Sequence, residues 1–350
     1  MTSVTRLSPW HRRTPVTQTD YERKKTVIKS LLTIGLCVAV PLTGSPAVAG
    51  ELKLTETDDT IRITLRDKPV LEYVKTPRPV PAGIDAHFSR SGYIHPIYSP
   101  TGEEVTGDFP ADHAHQHALF FAWVKAKYDG RKVDFWNQAK QLGGVEFRGV
   151  VDVTRGEDQV SFTTKQAFTV GTGDTKVDAL HETWKVTVYR TATDHYLFDI
   201  ESTQRCVIDI PLVLEEYRYG GMAFRGNGQW FTAGSGDTSA AEQIPRFLTS
   251  EGKGRIDGNH SRPNWVSVSG AVDGQDVSVA VFCHPDNFRA PQHVRLHPSK
   301  PYFCFAPCVA GKFTIEPGRP YVSRYRYLVT SDQPDAAHIN KTWQQYAAGP

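Results

Sequence analysis

Nothing in this sequence is apolar for long enough to cross a bilayer as a helix. Such a span needs roughly 20 apolar residues, and the candidate run at residues 31–40 is about half that length. It follows Lys24, Lys25 and Lys29 and precedes small residues that end in Ala47-Val48-Ala49. Basic flank, short apolar core and Ala-x-Ala site form the grammar of a secretory signal. Residues 1–49 are therefore read as an export signal with a polar N-terminal extension, cleaved near Ala49, rather than as a membrane anchor. Cys37 follows Leu36, not a small residue, which argues against a lipid-modified cysteine. The expected location is periplasmic or extracellular.

Excess positive charge is also missing. The formal net charge of +2 becomes −3 once residues 1–49 are set aside, because they hold seven Lys or Arg and two Asp or Glu. No basic footprint for a nucleic acid remains. Cysteine is scarce: Cys206, Cys283, Cys304 and Cys308 survive cleavage. An even number in an oxidising compartment permits disulfides, but buried free thiols or one long-range bridge are the expectation. Cys304 and Cys308 would share a strand face yet stand too far apart along it to bond directly, and zinc would need a second close pair. There is no Gly-x-Ser-x-Gly elbow, phosphate loop, dinucleotide fingerprint or zincin helix, which removes support for the corresponding hydrolase, nucleotide and protease chemistries. Heptads and fixed-period repeats are absent as well.

What is present is period-two alternation. It appears at residues 60–65, 160–164, 182–189 and 196–201, between clusters of Gly, Pro, Asp and Asn. Such alternation puts one set of side chains on a core face and the other toward water, as in antiparallel sheets. Asp129-Gly130 is a hairpin turn signal between residues 120–124 and 133–136. Helical periodicity is confined to residues 336–348, where His338, Trp343 and Tyr346 are the expected docking residues. The chain thus reads as all-β, a large antiparallel β-sandwich spanning residues 51–335, with a short C-terminal helix in a tail at 336–350. Residues 233–262 read as a long rim loop, or as a boundary between two domains.

Twelve histidines follow the signal, and three stand in Asp112-His113-Ala114-His115-Gln116-His117. If that segment is extended, all three imidazoles share one face. Imidazole ligates metals and titrates near neutrality, so the row suits either use. As a complete metal set it is strained, since alternate residues of a strand lie roughly 6.5–7 Å apart. The plainer reading is that some of these rings only bond within a polar rim. His95 lies in an extended piece whose Pro100-Thr101-Gly102 turn sends the chain back toward the run. Glu182 alternates with His181 on a strand, and Glu216 precedes Gly220-Gly221 and Arg225. Glycine there allows close backbone approach, and Arg225 serves as a clamp for a carboxylate or hydroxyl group or as ordinary surface charge. His284 and Asn287 follow a β run at a sheet rim. Trp136 is one of several aromatic residues that serve as core or as a stacking platform.

Tyr93-Ile94-His95-Pro96, the histidine run, Asp134-Phe135-Trp136, Gly220-Gly221 with Arg225, and His284-Pro285-Asp286-Asn287 together resemble the bacterial family catalogued as methane oxygenase PmoA, a domain of unknown function. The resemblance covers residues 60–330. Typical members read Asp-His-Pro-His-His-Arg-Gly, so His113 and His115 match while Gln116, His117 and Ala118 depart. The resemblance extends to the galactose mutarotase-like supersandwich, a large antiparallel sandwich used by sugar epimerases, lyases and glycosidase domains, and it implies a carbohydrate ligand.

The leading expectation is an exported carbohydrate-active enzyme, a hydrolase, lyase or epimerase, in which His115 with Glu182 or Glu216 exchanges protons with a sugar ring or its glycosidic oxygen, and His113 completes the catalytic set by orienting hydroxyls and stabilising developing charge. His95, His117, Arg225, His284, Asn287 and Trp136 would bind and orient the sugar. Alternatives are a non-catalytic glycan-binding or cell-surface protein, and a metal-dependent oxygenase as the catalogued name suggests. No cofactor is firmly implied; a divalent metal on His113, His115 and His117 is the one these residues would admit.

Overall fold

The computed structural model describes residues 51–230 and 245–349, and the expected export signal lies outside them. The described residues build three antiparallel sheets. The first runs in the order β1 (Leu52–Glu56), β2 (Thr60–Leu65), β3 (Lys68–Val74), β4 (Tyr93–Ile97), β5 (Leu119–Ala122), β13 (Gly221–Arg225), β18 (Tyr302–Phe305), β17 (Val294–Leu296). The second runs β14 (Arg246–Thr249), β15 (Trp265–Val272), β16 (Gln275–Cys283), β20 (Tyr321–Thr330), β11 (His195–Cys206), β10 (Val177–Tyr189), β9 (Gln159–Val170), β8 (Gly143–Arg155). A smaller sheet is ordered β19 (Phe313–Ile315), β12 (Leu212–Leu214), β6 (Ala126–Tyr128), β7 (Arg131–Val133). The large antiparallel sandwich expected from sequence is what forms.

Alternation dictates which faces meet. Along β11 every second residue from Tyr196 to Gln204 is buried. Inward rings from the two large sheets interlock: Tyr73 on β3 meets Phe162 of β9 at 5.5 Å and Trp184 of β10 at 6.3 Å, edge on. Phe305 of β18 lies 5.2 Å from Tyr325 of β20. All three sheets contribute to one apolar cluster, and each large side chain sealed in it is worth about 1.5–3 kcal/mol of burial. Gly221 is required by the first sheet, because a Cβ there would sit 2.3 Å from the Phe305 carbonyl oxygen.

Several local expectations need correction. Asp129 and Gly130 do form a left-handed two-residue turn, with φ of 49° and 72°, but its arms are β6 and β7 of the small sheet, not β5. Cys308 lies on a 3-10 turn after β18, off the strand that carries Cys304, and all four cysteines of the described residues are free thiols. Within 233–262, residues 233–244 lie outside the described part, while β14 is an edge strand of the second sheet. The helix α1 (Ala336–Ala347) starts where the Asp335 side chain accepts the Ala337 N–H at 2.9 Å. It docks through Ile339, Tyr346 and Trp343 on Trp265, Phe282 and Leu328, the outer face of the second sheet. His338 is exposed rather than docked.

Glu182 faces inward from β10 and is fully buried. Its Oε1 accepts from Ser202 Oγ at 2.5 Å and Gln204 Nε2 at 2.9 Å, and Gln204 Oε1 accepts from Trp123 Nε1 at 2.7 Å. Its Oε2 has no hydrogen-bond partner among the described residues. Burial raises the carboxyl from 4.5 to about 7, against the lowering pull of Ser202, Gln204 and the nearby Arg90 charge. A carboxyl raised on folding stabilises the fold below about pH 4.5, and that contribution is lost as pH climbs through about 7. Glu182→Gln should therefore gain on wild type by about 3 kcal/mol between pH 4.5 and pH 8. The attraction of Arg90 acts only on the ionised carboxylate and is already contained in the raised value. Urea unfolding at the two pH values reads the difference, and parallel pH profiles would rule out a raised Glu182.

Candidate functional site

The histidine run is not extended. Residues 108–118 fold as consecutive turns, with His113 N–H donating to the Pro110 carbonyl at 2.9 Å and Gln116 N–H to the His113 carbonyl at 2.8 Å. Phe109 and Ala118 bracket the loop in left-handed conformations, φ 46° and 50°, each at a cost of about 1 kcal/mol or more for a residue with a Cβ. Ala118 stands where the resembled pattern has glycine, which takes that conformation without strain. The turns split the three imidazoles: His113 and His115 face one cavity and His117 goes into the core.

The cavity holds about 80 Å³ and is lined by His113, His115, Gln116, Trp136, Tyr219 and Tyr302, with Arg218, Arg295 and His297 completing it. The His113 ring is 5.4 Å from His115 and 6.0 Å from His297. Beneath them lies Asp112, whose Oδ1 accepts from Arg225 Nη2 at 3.0 Å and whose Oδ2 accepts from Lys300 Nζ at 2.6 Å. His113 Nδ1 donates to the same Oδ2 at 2.9 Å, because an ionised carboxylate only accepts. That bond fixes the tautomer and leaves Nε2 as the available nitrogen. Arg225 ends β13 with a fully buried guanidinium, and its Nη1 donates to Gln116 Oε1 at 2.8 Å. Surface charge is therefore not its role.

Electrostatics hold these groups in defined states. Burial opposes ionisation of Asp112, but Lys300, Arg225 and His113 together bring its carboxyl well below the usual range. Burial, and after it the nearness of two other imidazoles, pushes His115 down to about 3. Burial, Arg295 and His113 bring His297 to about 4. Both rings are neutral at pH 7, each with a nitrogen lone pair to offer to a hydrogen bond. The phenols are committed elsewhere, Tyr219 Oη donating to Asn137 Oδ1 at 3.1 Å and Tyr302 Oη to Cys304 Sγ at 3.1 Å. Trp136 is 1% exposed and packs on Phe120 and Tyr219, so it forms a wall with no open stacking face.

His117 and His95 belong to a second, buried cluster. His117 Nδ1 donates to Asp108 Oδ1 at 2.7 Å, and Tyr93 Oη donates to Asp108 Oδ2 at 2.7 Å. His95 shares a 3.0 Å hydrogen bond with Thr106 Oγ1, and burial lowers it to about 4. The Pro100-Thr101-Gly102 turn does return the chain, since Thr106 and Asp108 follow it directly. A larger cavity of about 430 Å³ has His87 and Gln138 in its lining. Phe88 lies 4.1 Å from His87 and 6.5 Å from His115, so one aromatic ring neighbours a lining residue of each cavity.

The remaining expected site residues do not join these clusters. Glu182 is sealed in the core, and Glu216 is exposed on the segment after β12, so the pairing of His115 with either carboxylate does not form. Asn287 clamps the backbone of Arg324, donating to its carbonyl at 2.8 Å and accepting its N–H at 2.7 Å. His284 lies 4.9 Å from Tyr346 of α1. His284 thus packs against the docked helix, while Asn287 fixes the β20 backbone. Among the described residues no group of three or more His, Cys, Asp or Glu is placed to hold a metal ion, so the three-histidine donor set does not fit one. Sequence reasoning missed Asp108, Arg218, Arg295, His297 and Lys300. No local pattern marks His297 or Arg295, which reach the cavity only because β17 and β18 lie beside β13.

A family model described as a family of unknown function, DUF6807, matches residues 60–344. Its description names no oxygenase. No curated protein matches the chain. Among solved structures, a heparan sulfate lyase, HepC, from Pedobacter heparinus is 9% identical with a TM-score of 0.38, covering 81% of this chain and 35% of that one. The α-N-acetylgalactosaminidase NagBb from Bifidobacterium bifidum is 12% identical with a TM-score of 0.33, covering 85% and 37%. This chain thus matches little more than a third of either neighbour. A GalM/aldose epimerase homologue from C. elegans is 8% identical with a TM-score of 0.31, covering 81% of this chain and all of that one.

The Asp112 anchor generates a stability test. Asp112→Ala leaves the buried Arg225 without its counter-charge, and breaking one side of such a pair should cost about 2–4 kcal/mol. Urea denaturation at pH 7 measures it, and a loss below about 1 kcal/mol would show that Asp112 is not the anchor.

Proposed function

Because the chain belongs to this family of unknown function, its activity has to be read from its own site, and we propose an exported carbohydrate-active enzyme that moves protons through His115 and His113. The observation that carries the reading is the convergence of three imidazoles, His113, His115 and His297, on one cavity braced by Asp112, Arg225 and Lys300. His115 is the base, being neutral at pH 7. The proton that His115 takes it also gives back, and His113, oriented through Nδ1 by Asp112, offers its Nε2 lone pair as a second acceptor beside it, the arrangement by which a carboxylate fixes a catalytic imidazole. Gln116 and Arg225 hold the loop that carries both rings. This replaces the histidine and glutamate pair expected from sequence by a histidine pair on an aspartate. The carbohydrate class is supported by a lining of imidazole, guanidinium and amide groups between aromatic walls, with a larger open cavity one ring away for the remainder of a glycan.

Two measurements test the reading. Wild type and His115→Ala are incubated with an oligosaccharide panel that includes oxidised sugars, and products are followed by mass spectrometry. His115→Ala should lower turnover by about 10²–10⁴-fold. Glycan binding that survives the substitution, without turnover of any sugar by wild type, would make the protein a glycan-binding module instead. For export, the protein recovered outside the cytoplasm should begin at about Gly50, and recovery there with Met1 intact would overturn the signal reading.

A further inference from the structure

The histidine cavity carries more positive charge than its own residues neutralise. Asp112 is the one carboxylate among the described residues lining or bracing it, and both its oxygens are occupied by Arg225, Lys300 and His113. Arg218 and Arg295 remain. Arg218 is exposed, with its guanidinium 5.8 Å from the Tyr219 ring and 5.9 Å from Tyr217. Arg295 is half-buried and donates to the neutral amide oxygen of Asn259 at 3.1 Å. Neither forms an ion pair with a carboxylate among the described residues. His297 stands beside Arg295, on a loop pinned by Arg255, which donates to the carbonyls of His297 at 2.6 Å and Lys300 at 2.8 Å. The loop that follows Arg295 is therefore held in place.

Size narrows the occupant further. A volume of about 80 Å³ is about half that of an apolar cavity that takes up one benzene ring, roughly 150 Å³. A planar or tetrahedral anionic group enters it; a whole sugar ring does not. Two guanidinium forks facing such a space match the geometry of carboxylate and sulfate oxygens, to which arginine donates in pairs. Neutral His115 and His297 add hydrogen-bonding groups without further charge.

We propose that the ligand of this cavity is an anionic sugar, a uronic acid or a sulfated sugar, whose charged substituent is bound by Arg218 and Arg295 while its ring lies outside. This rests on the reading of the cavity as the carbohydrate site. It specifies the substrate class: glycans with one negative group next to the bond or carbon that His115 and His113 serve.

The test uses the mature chain and matched probes. Binding of methyl β-glucuronide, glucose 6-sulfate, methyl β-glucoside and inorganic sulfate is measured by titration calorimetry at 50 and 300 mM salt. Variants are Arg218→Gln, Arg295→Gln and the double substitution, with circular dichroism as the folding control. At least one charged sugar should bind tenfold or more tighter than the neutral glucoside, and the higher salt should weaken only the charged probes. Which charged sugar wins identifies the substituent. The double variant should bring charged and neutral sugars within about twofold. Arg218→Gln, at an exposed position, should keep its fold and still lose part of the preference. Equal affinity for charged and neutral sugars overturns the proposal, as does inorganic sulfate binding as tightly as the sugars. Charge-selective binding with no turnover by wild type would remove the catalytic reading and leave this one standing. Turnover of neutral glycans without charge preference would do the reverse.

Discussion

A guanidinium buried at the end of a central strand is the constraint on which the site depends. Arg225 cannot remain inside a sheet without an opposite charge, and the chain supplies one by folding residues 108–118 over it. The backbone stitches this closed: Gly107 N–H donates to the Arg225 carbonyl at 3.0 Å, Arg225 N–H to the Ala118 carbonyl at 2.7 Å, and Ala118 N–H to the Gly107 carbonyl at 2.9 Å. The Arg225 side chain then takes Asp112 and Gln116. The loop is held at both ends and in the middle by one residue from β13. Its two left-handed residues, Phe109 and Ala118, are tolerated because that residue over-determines the path.

From this anchor the electrostatics follow. Asp112 stays ionised because cations surround it, and His115 and His297 stay neutral because they are buried beside positive charge. A site with fixed charges and neutral imidazoles has little to reorganise when a proton moves, which is how preorganised polar groups lower a barrier. The second cluster, His117 with Asp108 and Tyr93, lies on the same loop but is closed to solvent. It gives the other half of the turn a polar interior, fully bonded at the carboxylate, and so fixes where His115 stands relative to the core.

The fold was legible because alternation is a local signal and the sandwich is built from it. Strands β2, β10 and β11 all contain the residues whose patterning announces them, and α1 contains the one helical periodicity. The site was legible only in its sequence-local part. His113 and His115 could be found from spacing, but the face they share arises from tight turns, not from an extended strand. His117 was misjudged for the same reason, since a turn reverses the parity that a strand would keep. Glu182 was misread because an alternating strand shows which residues share a face without saying that the face is the inside of a sandwich. His297, Arg295 and Lys300 carry no mark at all. They become neighbours of the run through the pairing of β13 with β18 and of β18 with β17, which is long-range information.

The docked C-terminal helix has a practical side. Trp343 Nε1 donates to the Cys283 carbonyl at 3.2 Å and Trp265 Nε1 to Asn340 Oδ1 at 2.8 Å, so α1 is the lid of an apolar patch made of Trp265, Phe282 and Leu328. A shortened recombinant version ending before Ala336 would carry that patch bare on the flat back of the second sheet. Uncovered aromatic surface of this kind promotes self-association. The last dozen helical residues thus work as a solubility device, and fusion partners belong beyond them.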